Sequence, residues 1–232
     1  MKDKLTIIIP CKNEEKYIGK VLESLLVQDG IRGVRIIIAD SNSTDSTLSI
    51  VDEYSYSLNI EVIQGGLPAI ARNRGADISI TKYLLFIDAD AEILDIRMIS
   101  KSLNKMERKD LHLLSSHLNS HYLFAKFLYK LNNLIVFLSK FDKPFCVGIY
   151  MMIRRDVFKS LGGFPEDVFH CEDYLLSKRV DRKKFGIINK DAYSDNRRFK
   201  KMGYWKMIKY LFKNIINRNN YDYFKKDVNY WS

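Results

Sequence analysis

The chain has 232 residues, 47% of them hydrophobic, which suits one α/β domain with a sizeable core and excludes a disordered chain. Its three cysteines, Cys11, Cys146 and Cys171, are too few and too scattered for a disulfide framework or a zinc site, so a reducing compartment is expected. The net charge of +10 is concentrated at the end: ten Lys/Arg and two Asp follow from Arg197 onward, whereas the first 196 residues carry 28 basic and 26 acidic residues.

In chain order, apolar runs at Leu5–Pro10, Val34–Asp40, Ile60–Ile63 and Tyr83–Asp88 predict four strands. Helical patterns lie between them at Glu15–Val27, Thr44–Tyr54 and Ala69–Ile78, the second with Ser43-Thr44-Asp45 as its capping residues. Strand alternating with helix implies a parallel, wound sheet whose ligands gather at the carboxyl ends of the strands. Polar residues stand at those ends: Pro10-Cys11-Lys12-Asn13-Glu14, Asp40-Ser41-Asn42-Ser43 and Asp88-Ala89-Asp90. After residue 110 the pattern changes. Strands are predicted at Leu111–Ser115, Cys146–Ile153 and Phe185–Asn189, and helices at His121–Phe141, Asp173–Arg182 and Tyr204–Ile216, with a turn at Leu161–Pro165. The first apolar run is too short for a signal-peptide core, and no run approaches the roughly 18 to 20 apolar residues of a spanning helix, so a soluble or peripheral protein is expected.

Asp88-Ala89-Asp90 is the sharpest chemical signal. Two hard oxygen donors at the end of an apolar strand suit Mg²⁺ or Mn²⁺ held with a diphosphate. The competing reading is a solvated strand end with Asp as a turn residue. For Glu172-Asp173 the competing reading is negative charge placed favourably at a helix N-terminus. Cys11 reads as a small buried residue, and His117 and His121, without an acidic partner, as ordinary core or surface histidines.

Five segments occur in order: Thr6-Ile7-Ile8-Ile9-Pro10-Cys11-Lys12-Asn13-Glu14-Glu15, Ile38–Asp45, Ala71-Arg72-Asn73-Arg74-Gly75-Ala76, Leu85–Asp90, and Gly162-Gly163-Phe164 followed by His170-Cys171-Glu172-Asp173. The series resembles glycosyltransferase family 2, inverting enzymes of the GT-A fold, over roughly residues 5 to 200. The resemblance implies an α/β fold: a GT-A-type (Rossmann-like), mostly parallel sheet flanked by helices, with a C-terminal helical basic extension. Residues 1–200 would form the transferase domain, 1–110 its nucleotide-sugar half and 111–200 its acceptor half, followed by a basic amphipathic segment at 201–232.

The same resemblance implies site roles. Pro10 and Glu14 line the nucleoside pocket, Asp40 receives the base, and Arg72 faces the nucleotide or its phosphates. Asp88, Ala89 and Asp90 contact donor and metal, with Asp90 and Asp88 as metal ligands and Mn²⁺ or Mg²⁺ as the cofactor. Asp173, or its neighbour Glu172, is the general base for an acceptor hydroxyl. Gly162, Gly163 and His170 lie on the acceptor side. The Gln-x-x-Arg-Trp of processive members is absent. Arg197-Arg198-Phe199 stands in its place, with arginines suited to clamping a diphosphate, so a non-processive enzyme is expected. The expected partners are a UDP-sugar or GDP-mannose donor and a glycan or lipid-linked (polyprenyl phosphate) acceptor. Nucleic acid is not expected, and the location is cytoplasmic, with contact to the inner face of an anionic membrane through Tyr204–Ile216.

Two other functions share some features. A sugar nucleotidyltransferase needs a similar sheet and metal, but ordinarily has a Gly-rich basic loop after the first strand, where this chain has Cys-Lys-Asn-Glu-Glu. A nucleic-acid-binding module would use the aromatic and basic tail but leave the strand-end carboxylates without a purpose.

Overall fold

The computed structural model of the protein describes residues 1–195 and 197–227, with Arg198 and Phe199 described by backbone alone. Among the described residues eight strands form one sheet: β1 (Leu5–Cys11), β2 (Arg35–Asp40), β3 (Asn59–Gln64), β4 (Tyr83–Ile87), β5 (Ala91–Glu92), β6 (Leu113–Asn119), β7 (Tyr150–Arg154) and β8 (Phe185–Ser194). Their order is β3-β2-β1-β4-β7-β6-β8-β5. The pairs β1/β2, β1/β4, β2/β3 and β6/β8 are parallel. Strand β7 runs antiparallel to both β4 and β6, and β5 antiparallel to β8. The helices are α1 (Ile18–Leu26), α2 (Thr47–Ser55), α3 (Pro68–Asp77), α4 (Met98–Arg108), α5 (Leu123–Leu138), α6 (Arg155–Ser160), α7 (Glu172–Ser177), α8 (Arg197–Met202), α9 (Tyr204–Ile216) and α10 (Tyr221–Phe224).

The continuous apolar runs have the expected physical cause. Successive side chains of a strand point to opposite faces. Ile7 and Ile9 enter one core with α1, while Ile8 enters the other with Ala69 and Ala76 of α3. Both faces of the central strands are thus covered, so no polar alternation survives in the sequence. Strand β3 lies at the sheet edge and keeps exposed positions at Asn59, Glu61, Val62 and Gln64.

Several expected boundaries shift for local reasons. Helix α1 starts at Ile18 rather than Glu15. The Glu14 and Glu15 amides instead donate to the Thr47 hydroxyl and the Asp45 carboxylate, binding this loop to the next. Helix α2 correspondingly starts at Thr47 rather than Thr44, because Thr44 donates its amide to Asn13 Oδ1 and Asp45 accepts from Thr47. The helix expected at Asp173–Arg182 ends at Ser177, and the chain enters a short 3₁₀ turn at Arg182–Lys184. Strand β8 runs to Ser194 instead of Asn189. A register irregularity at Ser116/His117 lets it resume pairing with β6 past its polar Asn189-Lys190 step. Helix α4 escaped the sequence reading although Met98, Ile99, Ser102, Leu103 and Met106 form a buried helical stripe.

The C-terminal helices pack on the body of the molecule. Met207 of α9 is buried with Ala125 and Leu128 of α5, and Phe124 meets Tyr204 edge to face at 4.5 Å. Phe224 of α10 is fully buried with Val168 and Leu175. No helix among the described residues is long and apolar enough to cross a membrane.

Candidate active site

The carboxyl ends of β1, β2 and β4 open into a cleft of about 590 Å³. Pro10, Glu14, Arg72, Asp88, Ala89, Asp90 and Arg197 line it, together with Ser41, Gln64 and Lys201. The loops after β1 and β2 are fixed to each other. Asn13 and Asn42 both adopt positive φ, a conformation asparagine tolerates better than most residues. The Asn13 amide donates to the Ser43 hydroxyl, 2.9 Å. Asp40 is buried beside the cleft rather than on its lining. It accepts from the Ser43 hydroxyl at 2.5 Å and from the Ser43 amide at 3.1 Å. Cys11 is buried against Asp40, and burial first, then that carboxylate, push its thiol pKa up, in keeping with an inert side chain.

Strand β4 ends at Ile87, so Asp88-Ala89-Asp90 forms a turn, closed by the Ala91 amide donating to the Asp88 carbonyl at 3.1 Å. Arg72, on α3, is the centre of the deeper wall. It is 2% exposed and donates to Asp88 Oδ1 at 2.6 Å and to Glu172 Oε1 at 2.5 Å. Its guanidinium also lies 5.5 Å from the centre of the Phe164 ring. Burial opposes its charge, but Asp88, Glu172 and Asp173 outweigh that and raise its pKa. These two hydrogen bonds go to carboxylates of the protein, whereas the sequence resemblance directs Arg72 to the nucleotide or its phosphates.

Asp173 stands at the start of α7. Its Oδ2 accepts the Gly148 amide at 2.8 Å and its Oδ1 the Tyr174 amide at 2.7 Å. Burial, and then the adjacent Glu172 carboxylate, push its pKa up, against the opposing pull of the Gly148 N–H and of Arg72. Glu172 is committed to Arg72, while among the described residues Asp173 accepts hydrogen bonds from backbone amides. That asymmetry distinguishes Asp173, the first candidate base from the sequence, from its alternative Glu172.

On the outer wall Arg197 makes a bidentate pair with Glu14 at 2.6 and 2.7 Å, and its Nε lies 3.2 Å from Asp90 Oδ2. It also lies over the Tyr17 ring, 4.8 Å from the centroid. The side chain of Arg198 falls outside the described residues. Asp88 and Asp90 both line the cleft and carry hard oxygen donors, Asp88 held by Arg72 and Asp90 beside Arg197. No cluster of three or more metal-ligating side chains occurs among the described residues. A two-carboxylate set fits a divalent cation whose remaining ligands come from a diphosphate and from water.

The acceptor-side residues divide. Gly162 and Gly163 both adopt positive φ, at 76° and 71°. A Cβ on Gly163 would lie 2.7 Å from Asn73 Oδ1, so this turn packs directly on α3. Asn73 then accepts the Phe164 amide and donates to the Phe164 carbonyl, each at 2.9 Å. The sequence reading quoted Asn73 and Phe164 without giving them a role; they anchor the turn beneath Arg72. Gly148 was missed altogether, with no signal beyond its residue type: a Cβ there would lie 2.8 Å from Arg72 Nη2. His170 does not reach the cleft. It is 0% exposed and enclosed by Tyr210, Tyr223 and Phe224, with ring centroids 5.3 to 5.6 Å away. An acceptor would have to displace the C-terminal segment to touch it.

Comparison with known proteins gives a family and a fold. The model of the family described as Glycosyl transferase family 2 matches residues 6–162. The chain is 37% identical over 92 residues to the poly(ribitol-phosphate) beta-N-acetylglucosaminyltransferase TarS of Staphylococcus aureus, covering 38% of this chain and 16% of that protein. It is 34% identical over 98 residues to the GalNAc(5)-diNAcBac-PP-undecaprenol beta-1,3-glucosyltransferase of Campylobacter jejuni, covering 39% of this chain and 31% of that protein. The chain thus spans less than a third of the length of either relative. The mannosyltransferase PcManGT of Pyrobaculum calidifontis, solved with GDP-Man and Mn²⁺, superposes with a TM-score of 0.69 at 19% identity, over 82% of this chain and 56% of that one. That likeness supports the GT-A-type arrangement expected from the motifs.

Proposed function

Because the chain belongs to glycosyl transferase family 2, we propose that it transfers a sugar from a nucleoside-diphosphate sugar to a hydroxyl or polyprenyl-phosphate acceptor, one residue at a time and with inversion. The observation that carries the reading is Arg72, which lines the cleft with Asp88 at the carboxyl ends of the central strands and pairs behind that lining with Glu172, next to Asp173. The relatives agree with it, since by name they are hexosyl- or N-acetylhexosaminyltransferases acting on polymeric or lipid-linked acceptors.

In this reading Pro10 and Glu14 form the nucleoside side of the cleft with Asp40 buried beside it, and Arg197 faces the diphosphate. Asp90 and Asp88 would hold Mn²⁺ or Mg²⁺, and such an ion would supply positive charge against the leaving nucleoside diphosphate. Arg72 keeps the Asp88 turn and the α7 carboxylates at a fixed separation, an arrangement that needs no reorganisation during reaction. The hydroxyl oxygen of the acceptor attacks the anomeric carbon, the bond to the diphosphate breaks, and the hydroxyl proton passes to Asp173. An acceptor phosphate is already ionised and needs no such base. UDP-sugars are the first donors to test and GDP-mannose the second, and the acceptor is met on the cytoplasmic side at the inner membrane face.

The test is turnover and calorimetry with UDP- and GDP-sugars in the presence of Mn²⁺. Release of nucleoside diphosphate, accelerated by an acceptor from a panel of free and lipid-linked sugars, is the expected result. No binding of any nucleoside diphosphate would end the proposal.

A further inference from the structure

Helices α5 and α9 leave a large apolar surface exposed, with no covering element among the described residues. On α5, Phe127, Leu131, Leu134 and Leu138 recur at i, i+4, i+7 and i+11 and are all exposed. On α9, Trp205, Phe212 and Ile216 are 79%, 64% and 67% exposed. The inner residues of both helices are the ones used for packing: Ala125 and Leu128 of α5 against Met207 of α9. The outward stripes are therefore surplus to the fold. Soluble surfaces rarely carry such contiguous apolar area without a use.

Charge indicates what covers it. Lys126 and Lys130 of α5 and Lys206, Lys209 and Lys213 of α9 are all exposed, and neither helix contains an acidic residue. Apolar side chains interleaved with lysine, and a tryptophan among them, match the headgroup region of an anionic bilayer. Position supports the same occupant. Lys201, just ahead of α9, lines the donor cleft, and Tyr122, just ahead of α5, lines a small pocket shared with Asp90. Lys200 lies over the Tyr122 ring at 4.8 Å, joining the two helix starts. Both helices thus begin beside the cleft.

We infer that α5 and α9 together form a face that docks on an anionic bilayer, bringing the cleft to the level of the headgroups, where a lipid-linked acceptor is presented. The choice of acceptor rests on the transferase reading above; the docking itself does not. Both helices are required, so this surface extends beyond the basic C-terminal segment.

The experiment is co-sedimentation of the full chain with vesicles of phosphatidylcholine plus phosphatidylglycerol, and of phosphatidylcholine alone, at low and high salt. Binding is expected to the anionic vesicles, and to weaken about tenfold or more at high salt. The paired substitutions Leu131→Gln/Leu134→Gln on α5 and Phe212→Gln/Ile216→Gln on α9 replace exposed residues. Each pair should weaken vesicle binding about tenfold or more, with unchanged circular dichroism. Full-chain protein remaining in the supernatant with anionic vesicles at low salt would overturn the inference. So would wild-type binding by either pair of variants, equal binding to both vesicle types, or a dimer that the same substitutions dissociate. Calorimetry with UDP and GDP, without vesicles, separates the two readings. Donor binding without vesicle binding removes the docking face alone, and vesicle binding without donor binding removes the transferase reading alone.

Discussion

The imidazole Nδ1 of His170 lies 3.1 Å from the hydroxyl of Tyr210. This contact ties α9 to the peptide that enters α7 and carries Glu172 and Asp173. The same peptide is held by Phe169 donating its amide to the Phe224 carbonyl at 2.9 Å, and by Tyr221 donating its hydroxyl to Asp167 at 2.5 Å. Cys171 takes a left-handed conformation, φ 59°, directly before the helix. Burial in this aromatic enclosure pushes the His170 pKa down. The C-terminal segment therefore shapes the loop that carries Glu172 and Asp173, although its own sequence reads as an appendage.

Phe224→Ala should loosen that loop. Truncating a fully buried phenylalanine costs about 3–5 kcal/mol where the site cannot collapse. The expected outcome is a lower kcat with donor affinity nearly unchanged, because the donor cleft is lined by other elements. Phe224→Leu should recover most of the loss. Steady-state kinetics paired with calorimetry checks the split, and a loss confined to donor affinity would contradict it.

Arg72→Ala should be the most destabilising change near the cleft. It leaves Asp88 and Glu172, both largely buried, without their countercharge. Removing one partner of a buried ion pair costs about 3–5 kcal/mol. Denaturant unfolding should show a loss of that size, and Arg72→Lys should restore only part, since one ammonium does not span both carboxylates as a guanidinium fork does. A loss below about 1 kcal/mol would mean that water replaces the arginine, against the burial seen here.

Asp173→Asn should lower kcat on a hydroxyl acceptor about 10²-fold or more, the scale of lost general-base catalysis. The pH dependence has a definite sign. The base works ionised, and its pKa is raised by burial and Glu172, so kcat should fall as pH falls through a midpoint above the ordinary carboxylate range. The asparagine variant should lack that limb. With a polyprenyl-phosphate acceptor the substitution should matter far less. An unchanged pH profile in the variant acting on a hydroxyl acceptor would move the base elsewhere.

Asp90→Ala should remove the metal dependence of nucleoside-diphosphate binding. Titrations of UDP and GDP with and without Mn²⁺, into wild type and variant, measure it directly. Equal wild-type affinity with and without metal would show that Asp90 serves Arg197 alone, through the 3.2 Å contact already present. Arg197→Ala distinguishes the two uses, since it should leave the metal dependence in place.

The central sheet and the turn at Asp88-Ala89-Asp90 were legible because their signals are local. Ile7-Ile8-Ile9 and Ile36-Ile37-Ile38 must be apolar on both faces, and a strand that ends at a binding edge changes abruptly from apolar to acidic. The 13 residues of α9 matched their periodic pattern from end to end for the same reason. What tertiary structure alone decided depends on partners far apart in the chain. Arg72 finds Glu172 100 positions away, and this separates Glu172 from Asp173 as candidate bases. Asn73 holds Phe164 91 positions away. Gly148 yields the space that the Arg72 guanidinium occupies. His170, beside the carboxylates in sequence, is turned away from the cleft by aromatic rings arriving from residues 210 to 224. Residue type and spacing state which chemistry a segment can carry; which carboxylate keeps a cation and which meets substrate follows from how the chain closes on itself, because ion pairing and desolvation act between neighbours in space.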